Sequence, residues 1–351
     1  MKIVKTVGLL LLIVIAIVFP LMFPNPAVTT IAVFTLIFAA AATGWNIFSG
    51  YTGYIALGHA AYFGLGAYAL AIMCQDWNIP GGYIPFLLVP VAGVIAAIFA
   101  IPLGWISLRV RRHTFVIMTI AIFFIMQLLG YNLRPITNGS TGLGLPIPTD
   151  WSSDFFNFPF YYVSLVVLLI AIAISWWVRN SKYGLGLLAI RDDEDRALGL
   201  GVKTGPSKLV AFVISALIVG MVGAIWAYFI ESVYPPTVFD ATFDITVVLM
   251  AYLGGMGTIV GPILGALILE PAQQYFTLQY GQNGYYLVVY GILFLAIMLL
   301  LPRGIIPTLS DRWYTYQASR PSRQQKNDTV ATTLPTESAS IKAVKKEGIN
   351  L

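Results

Sequence analysis

Charge is what this chain has least of: 10% of its 351 residues are charged, against about 25% in a soluble domain. So few ionisable groups cannot clothe a globule, which excludes a free-standing soluble fold. Cysteine occurs once, at Cys74, which excludes an internal disulfide. Histidine occurs twice, at His59 and His113, and no Cys/His cluster has metal-ligand spacing. The G-x-x-x-x-G-K-[ST] pattern is absent, so the chain does not bind ATP through such a loop. The net charge of +5 does not point to nucleic acid either, because the basic residues flank apolar runs, where they report orientation.

What is abundant is apolar surface. Hydrophobic residues make up 58% of the chain and its mean hydropathy is +0.82. Val7–Phe19, Thr30–Phe48, Ile84–Ile106, Phe115–Leu129, Tyr161–Val178, Leu209–Ile230 and Tyr285–Leu301 are nearly free of ionisable side chains. Runs of this length match the hydrocarbon thickness of a bilayer. A backbone inside lipid must satisfy its own hydrogen bonds, so the runs are predicted to be helices. The expected fold is an all-α integral membrane protein with about ten transmembrane helices (eight to ten). They fall near residues 6–24, 29–48, 53–74, 83–107, 113–132, 160–178, 207–230, 242–256, 259–277 and 284–301. The eighth and ninth are separated only by Gly254–Thr258, so they are either two crossings or one broken or re-entrant element. Lys2 and Lys5 before the first run suit a signal peptide or a first span; no small-x-small cleavage site follows, and an uncleaved span is expected.

The charges orient the stack. Arg109, Arg111 and Arg112, then Arg179, Lys182, Arg191, Arg196, Lys203 and Lys208, then Arg303 and Arg312 all fall on the side of Lys2 and Lys5 under this count. Asp76, Asp150, Asp154, Glu231 and Asp240 fall opposite, with Arg134 the basic exception. The positive-inside rule then places both termini in the cytoplasm. Residues 1–310 form one transmembrane domain, with a cytoplasmic loop at 179–208 and an external loop at 133–159. The Ser/Thr/Gln/Lys-rich tail at 311–351 cannot bury a core and is expected to be disordered. Trp105, Trp176, Trp177 and Trp226 fall near span ends, as interfacial anchors do.

The segment Trp45–Tyr68 is rich in small residues, with Ala56, Ala60 and Gly64 four apart and Gly53, Gly58, Gly66 and Ala67 nearby. Such spacing lets helix backbones approach closely in a bilayer, and plain packing accounts for most of it. Asn46 and His59 stand out because polar groups at membrane depth are costly and face a partner or a water-filled path. His59 is either a satisfied packing residue or part of a translocation pathway; Asn46 either pins the turn at Ser49-Gly50 or touches substrate. Gly257, Gly261 and Gly265 repeat the four-residue spacing. Glu270 is an acid inside the ninth span, with Gln273 and Gln274 beside it, and joins Asn46, Gly53, His59 and Gly64 as a pathway candidate. Between the sixth and seventh spans, Asp192, Asp193, Glu194 and Asp195 precede Arg196, Ala197, Leu198, Gly199 and Gly201. Acids at a helix start oppose its dipole and a glycine closes its end, so a capped helix is predicted at about 192–200.

Gly50-Tyr-Thr-Gly53, Leu57-Gly-His-Ala-Ala-Tyr-Phe-Gly64 and Gly66-Ala-Tyr68 resemble the GYxGxxSLGHAAFFGxGAY signature of the LivM-type permeases. Leu108–Thr119 resembles LRLRGxYFAIxTL, Thr137–Leu143 resembles TGGxxGL, and Ala189–Ala197 resembles AIREDExxA. Leu253–Ala266 resembles LGGxGTxxGPxxGA, and Leu301–Ile305 the closing PxGL. The motifs occur in the family's order from about Gly44 to Ile306. Two departures are Ala56, where the family usually carries serine, and Leu198-Gly199, where members often read Glu-Ala.

The resemblance implies a transmembrane permease subunit of an ATP-binding-cassette importer in the cytoplasmic (inner) membrane of a prokaryote. It assigns Asp192–Gly199 to a helix that docks on an ATPase. It implies a LivH-type second permease, two cytoplasmic ATPase subunits carrying ATP and Mg²⁺, and an external solute-binding protein. No cofactor is expected on this chain. Branched-chain or other neutral amino acids are the implied cargo, with urea and short amides as the alternative. A gradient-driven secondary transporter would have only Glu270 and His59 for an ion site. A membrane-embedded enzyme would need a cluster of His, Asp or Glu that no span or adjacent loop supplies.

Overall fold

The computed structural model describes residues 14–23, 25–148, 151, 156–280, 291–292, 295 and 304–308. The chain there is mostly helical. Helix α1 is described over 14–22. It is followed by α2 (Pro26–Trp45), α3 (Ala60–Asp76), α4 (Ile84–Ser107), α5 (Arg112–Asn132), the short α6 (Arg134–Thr137) and α7 (Asn157–Asn180). Then come α8 (Lys182–Asp192), α9 (Glu194–Gly199), α10 (Thr204–Ile230), the short α11 (Pro235–Val238), α12 (Ala241–Gly254) and α13 (Gly261–Tyr280). Between α6 and α7 a two-residue strand, β1 (Leu143–Gly144), pairs antiparallel with β2 (Ser232–Val233). The expected loop at 133–159 is therefore partly built, from α6 and this ribbon.

Six segments among the described residues are long and apolar enough to cross a membrane: Pro26–Gly50, Ile84–Ser107, Arg112–Asn132, Asn157–Asn180, Thr204–Ile230 and Pro235–Gly254. They coincide with six of the ten expected spans. The first expected span, 6–24, is described only from residue 14, while most of the tenth, 284–301, and the tail at 311–351 lie outside the described residues. The third span differs from expectation. Its helix starts at Ala60 rather than 53 and has 17 residues, about 25 Å of rise against a hydrocarbon core of about 30 Å. Residues 53–59 are non-helical, so Ala56 does not share a helix face with Ala60 and Gly64. The eighth and ninth spans are two helices, α12 and α13, packed side by side: Gly254 lies against Gly261 and Gly265 against Met250, so the chain reverses across 255–260. Glu270, Gln273 and Gln274 keep α13 below the apolarity of a lipid-crossing helix.

Helix α10 is the most buried of the six and packs on α2, α3 and α4. Its contacts are close because they are made between small residues. A side chain at Gly66 would strike the Gly220 backbone, and one at Gly223 the Phe63 backbone, which is how helices associate where lipid removes the hydrophobic drive. At the start of α7, Asn157 donates to the Thr29 and Thr30 hydroxyls at 2.9 and 3.0 Å and ties α7 to α2. Apolar side chains such as Leu87, Ile98 and Ile117 are exposed, as lipid-facing residues would be. Trp105, Trp176 and Trp177 are exposed near helix ends, but Trp226 instead packs edge-on against Phe63.

Candidate functional site

The described polar residues converge where two chain reversals meet at the basic end of the bundle. The first reversal lies between α2 and α3. Helix α2 loosens into a π-helical turn, Asn46–Gly50, and the chain then leaves the helix at Gly53, whose φ of +73° L side chains rarely adopt. Non-helical backbone at this depth persists only if its polar groups are satisfied, and here they are. The Ala56 carbonyl accepts from the Trp45 indole at 2.8 Å, the Ala56 N–H donates to Ser49 Oγ at 3.2 Å, and the Leu57 N–H donates to Thr119 Oγ1 at 3.1 Å.

The second reversal, between α12 and α13, turns on Gly255 (φ +122°) and Gly257 (φ +81°). Thr258 Oγ1 accepts from the Gly261 N–H at 3.0 Å and starts α13. Asn46 joins the two reversals: its Oδ1 accepts from the Gly257 N–H at 2.7 Å and its Nδ2 donates to the Thr258 carbonyl at 2.8 Å. Asn46 thus pins the opposite reversal rather than the turn at Ser49-Gly50.

The third component is an elbow of two short helices. Ser181 caps α8 by accepting from the Gly184 N–H at 3.1 Å. Asp193 ends α8 and caps α9, accepting from the Asp195 and Arg196 N–H groups at 3.0 Å each. The predicted single helix over 192–200 is therefore an elbow, with Asp192 the last residue of α8, Asp193 the hinge, and α9 limited to Glu194–Gly199. It is split because the Asp193 side chain competes for the backbone N–H groups that a continuous helix would use internally. Gly201 closes it at φ +85°, as its position suggested.

The elbow is bonded to the first reversal, and the end of α7 just before it to the second. Arg191 Nη1 donates to the Gly50 carbonyl at 2.9 Å, and Arg112 Nη2 donates to the Arg191 carbonyl at 2.9 Å. Arg179, at the end of α7, donates to the Gly257 carbonyl at 2.7 Å. Lys208, 5% exposed at the start of α10, pairs with Glu194 at 2.5 Å and donates to Tyr54 Oη at 3.2 Å, while the Tyr54 hydroxyl donates to Glu194. Burial pushes the Glu194 carboxyl upward, but the bonds from Lys208 and Tyr54 outweigh it and hold the group below its ordinary value. The backbone N–H of Arg196 leads the contacts that lower Asp193 in the same direction. Arg111 grips Asp195 through two bonds of 2.9 and 3.1 Å. A cavity of about 430 Å³ lies between elbow and bundle, lined by Tyr54, residues 111–114 and residues 192–195.

The remaining pathway candidates are distributed differently. Gly53 lies against Arg191, inside the junction. Gly64 is a packing position, filled on its open side by the Phe239 ring. Glu270 is fully buried on α13, where its Oε1 accepts from Gln274 at 2.9 Å. His59 is fully buried just before α3, with Nε2 2.7 Å from Ser215 Oγ on α10. Among the described residues no group of three or more His, Cys, Asp or Glu is placed to hold a metal ion.

Sequence reasoning missed Asp244, a buried acid on α12 whose Oδ1 accepts from the Ala60 N–H at 3.1 Å. An acid within an apolar run was the signal. It also missed the structural roles of Arg179 and Lys208, which had registered only as orienting charges, and of Arg191, which had registered as an orienting charge and a motif residue, and it missed Tyr54 altogether.

Sequence comparison relates the chain to known transport permeases. The sequence model of the branched-chain amino acid transport system permease component family matches residues 27–298. The high-affinity branched-chain amino acid transport system permease protein LivM of Escherichia coli K12 is 28% identical over 324 residues, covering 85% of this chain and 74% of that protein. The LivH permease protein of Salmonella typhimurium LT2 is 26% identical over 282 residues, covering 77% of this chain and 91% of that protein. A more distant relative, the autoinducer 2 import permease LsrC of Yersinia pseudotuberculosis, is 26% identical over half of each chain. No solved structure matches.

Proposed function

This chain belongs to the family of branched-chain amino acid transport system permease components, and on that premise we propose that it moves leucine, isoleucine, valine or related neutral amino acids across the membrane. It is a multi-pass membrane permease subunit of an ATP-binding-cassette importer, not an enzyme. The observation that carries the mechanism is the tie between the elbow and the two reversals. Arg191 bonds Gly50, and Asn46 bonds the reversals to each other. A partner that displaces α8 and α9 therefore pulls on the two non-helical segments inside the bundle, which are the segments able to change shape without breaking a helix.

In this reading two ATPase subunits hold ATP and Mg²⁺ and dock on the elbow. The excess of Lys and Arg at this end favours its placement in the cytoplasm, at the inner membrane of a prokaryote. Likeness to both LivM and LivH supports a pathway shared with a second, related permease, and an external solute-binding protein delivers the cargo. The acids of the elbow serve its own architecture: Asp193 caps, Glu194 pairs with Lys208, and Asp195 pairs with Arg111. The apolar side chains left for an ATPase are Leu198 and Leu200, which are 59% and 84% exposed, beside the exposed Arg196.

The complex purified from its own cells is expected to contain an ATPase and a second permease, and to concentrate leucine in proteoliposomes only with ATP. Uptake by this chain alone on a sodium or proton gradient would overturn the reading; ATP-driven uptake of urea or short amides in place of leucine would overturn the cargo. Leu198→Asp combined with Leu200→Asp is expected to cut ATPase co-purification by about tenfold, the loss typical of interface anchors, with no change in the unfolding temperature. Full retention of the ATPase would remove α9 from the interface.

A further inference from the structure

The first turn of α3 is surrounded by buried polar atoms that the described chain leaves without partners. Asp244, 2% exposed, uses Oδ1 to cap α3 at Ala60, but its Oδ2 has no hydrogen-bond partner. His59, fully buried, is engaged through Nε2 by Ser215, and its Nδ1 has no partner. Tyr62, also buried, has an unpartnered hydroxyl. The His59 and Tyr62 rings lie 6.1 Å apart and both stand edge-on to Phe212 of α10. Of the ion pairs formed among the described residues, none includes Asp244.

A cap alone does not explain this arrangement. Capping the backbone N–H groups at the start of α3 needs a side-chain oxygen but no charge, and Asn, Ser or Thr would supply it. Aspartate adds a second oxygen and a charge at full burial, which is strongly unfavourable without a counter-charge. When His59 Nε2 donates to Ser215, Nδ1 is an acceptor, and a tyrosine hydroxyl also accepts. Three unpartnered polar atoms, two at the start of α3 and one on α12, then border the first turn of α3, and the carboxyl is anionic once a cation sits beside it. A primary ammonium group matches that set: it is a point cation with three donors and no acceptor.

We infer that Asp244, His59 and Tyr62 form a seat for the α-ammonium group of the amino acid in transit, at the reversal before α3. The inference rests on the amino-acid reading above and adds to it the residues that distinguish an amino acid from an uncharged amide. The seat lies on the far side of the same reversal that Arg191 holds at Gly50, so movement of the elbow reaches it through residues 50–59.

The test is uptake of labelled leucine by the complete importer in proteoliposomes, paired with thermal unfolding of the purified complex. Asp244→Asn keeps the acceptor for Ala60 but loses the charge. It is expected to reduce uptake at least tenfold, as loss of a charge-assisted bond does, while the melting temperature stays the same or rises. Tyr62→Phe is expected to reduce uptake by a smaller factor, on the order of threefold. Wild-type uptake in Asp244→Asn would overturn the seat while leaving the amino-acid reading intact. A melting temperature that fell together with uptake would make Asp244 a structural cap. A sodium requirement that vanished in the variant would put a metal cation there. Absence of amino-acid uptake by the wild-type importer would overturn the reading and the seat with it.

Discussion

Replacing Glu194 by methionine is expected to destabilise the permease by about 3 kcal/mol, because it leaves the Lys208 ammonium buried without its counter-charge. The figure is taken at the low end for such pairs, since the Glu194 side chain keeps 20% of its exposure. The expected readout is a lower unfolding temperature in detergent and weakened ATP-coupled uptake, since α9 is then released from α10. A Glu194→Met, Lys208→Met double variant is expected to recover most of the stability but not the uptake. Removing both charges lifts the burial penalty, and a double-mutant cycle isolates the pair. If the single variant were as stable as wild type, the pair would be ornamental.

The same pair sets a pH dependence. In the folded chain the Glu194 carboxyl is held below its ordinary value of 4.5. A group depressed on folding adds stability that is fully present above its unfolded value and is lost as the pH falls through its folded value. The stability gap between wild type and the double variant should therefore be level from neutral pH down to about 5 and shrink below the ordinary carboxylate value.

Much of the architecture was legible because lipid permits few solutions: six of the expected spans coincide with segments long and apolar enough to cross a membrane. What could not be read was where helices stop inside the bundle. The periodicity of Ala56, Ala60 and Gly64 suggested a continuous helix, yet Gly53 at positive φ and the bond from Trp45 to Ala56 hold the chain in a loop. Hydropathy sees only side chains, and this loop is settled by backbone bonds to distant residues such as Thr119. The candidate site followed the same division. Acids opening a short helix near 192–200 were local and therefore readable, although the break at Asp193 was not. The partnership of Asn46 with Gly257, 211 residues away, had no local signature. Arg191 lay within a recognised motif, but its bond to Gly50 spans 141 residues.

That long-range bond leads to the second large effect. Asn46→Leu is expected to destabilise the permease by about 2–6 kcal/mol, since a buried N–H at Gly257 and a carbonyl at Thr258 each lose their partner at about 1–3 kcal/mol. Asn46→Asp serves as the partner experiment. It keeps the acceptor for Gly257 but presents a second acceptor to the Thr258 carbonyl, so the two reversals are joined at one point and repelled at the other. Uptake in Asn46→Asp should fall more steeply than thermal stability, because α2 and α12 keep their helices while the link that moves them together is cut. If the two variants instead lose stability and uptake in the same proportion, Asn46 contributes only to packing and the reversals move independently. Arg191→Met supplies the cross-check, since it cuts the elbow from Gly50 without touching Asn46. If force passes from elbow to first reversal to second, the Arg191 and Asn46 substitutions lie on one route, and combining them should reduce uptake little further than the more severe of the two alone.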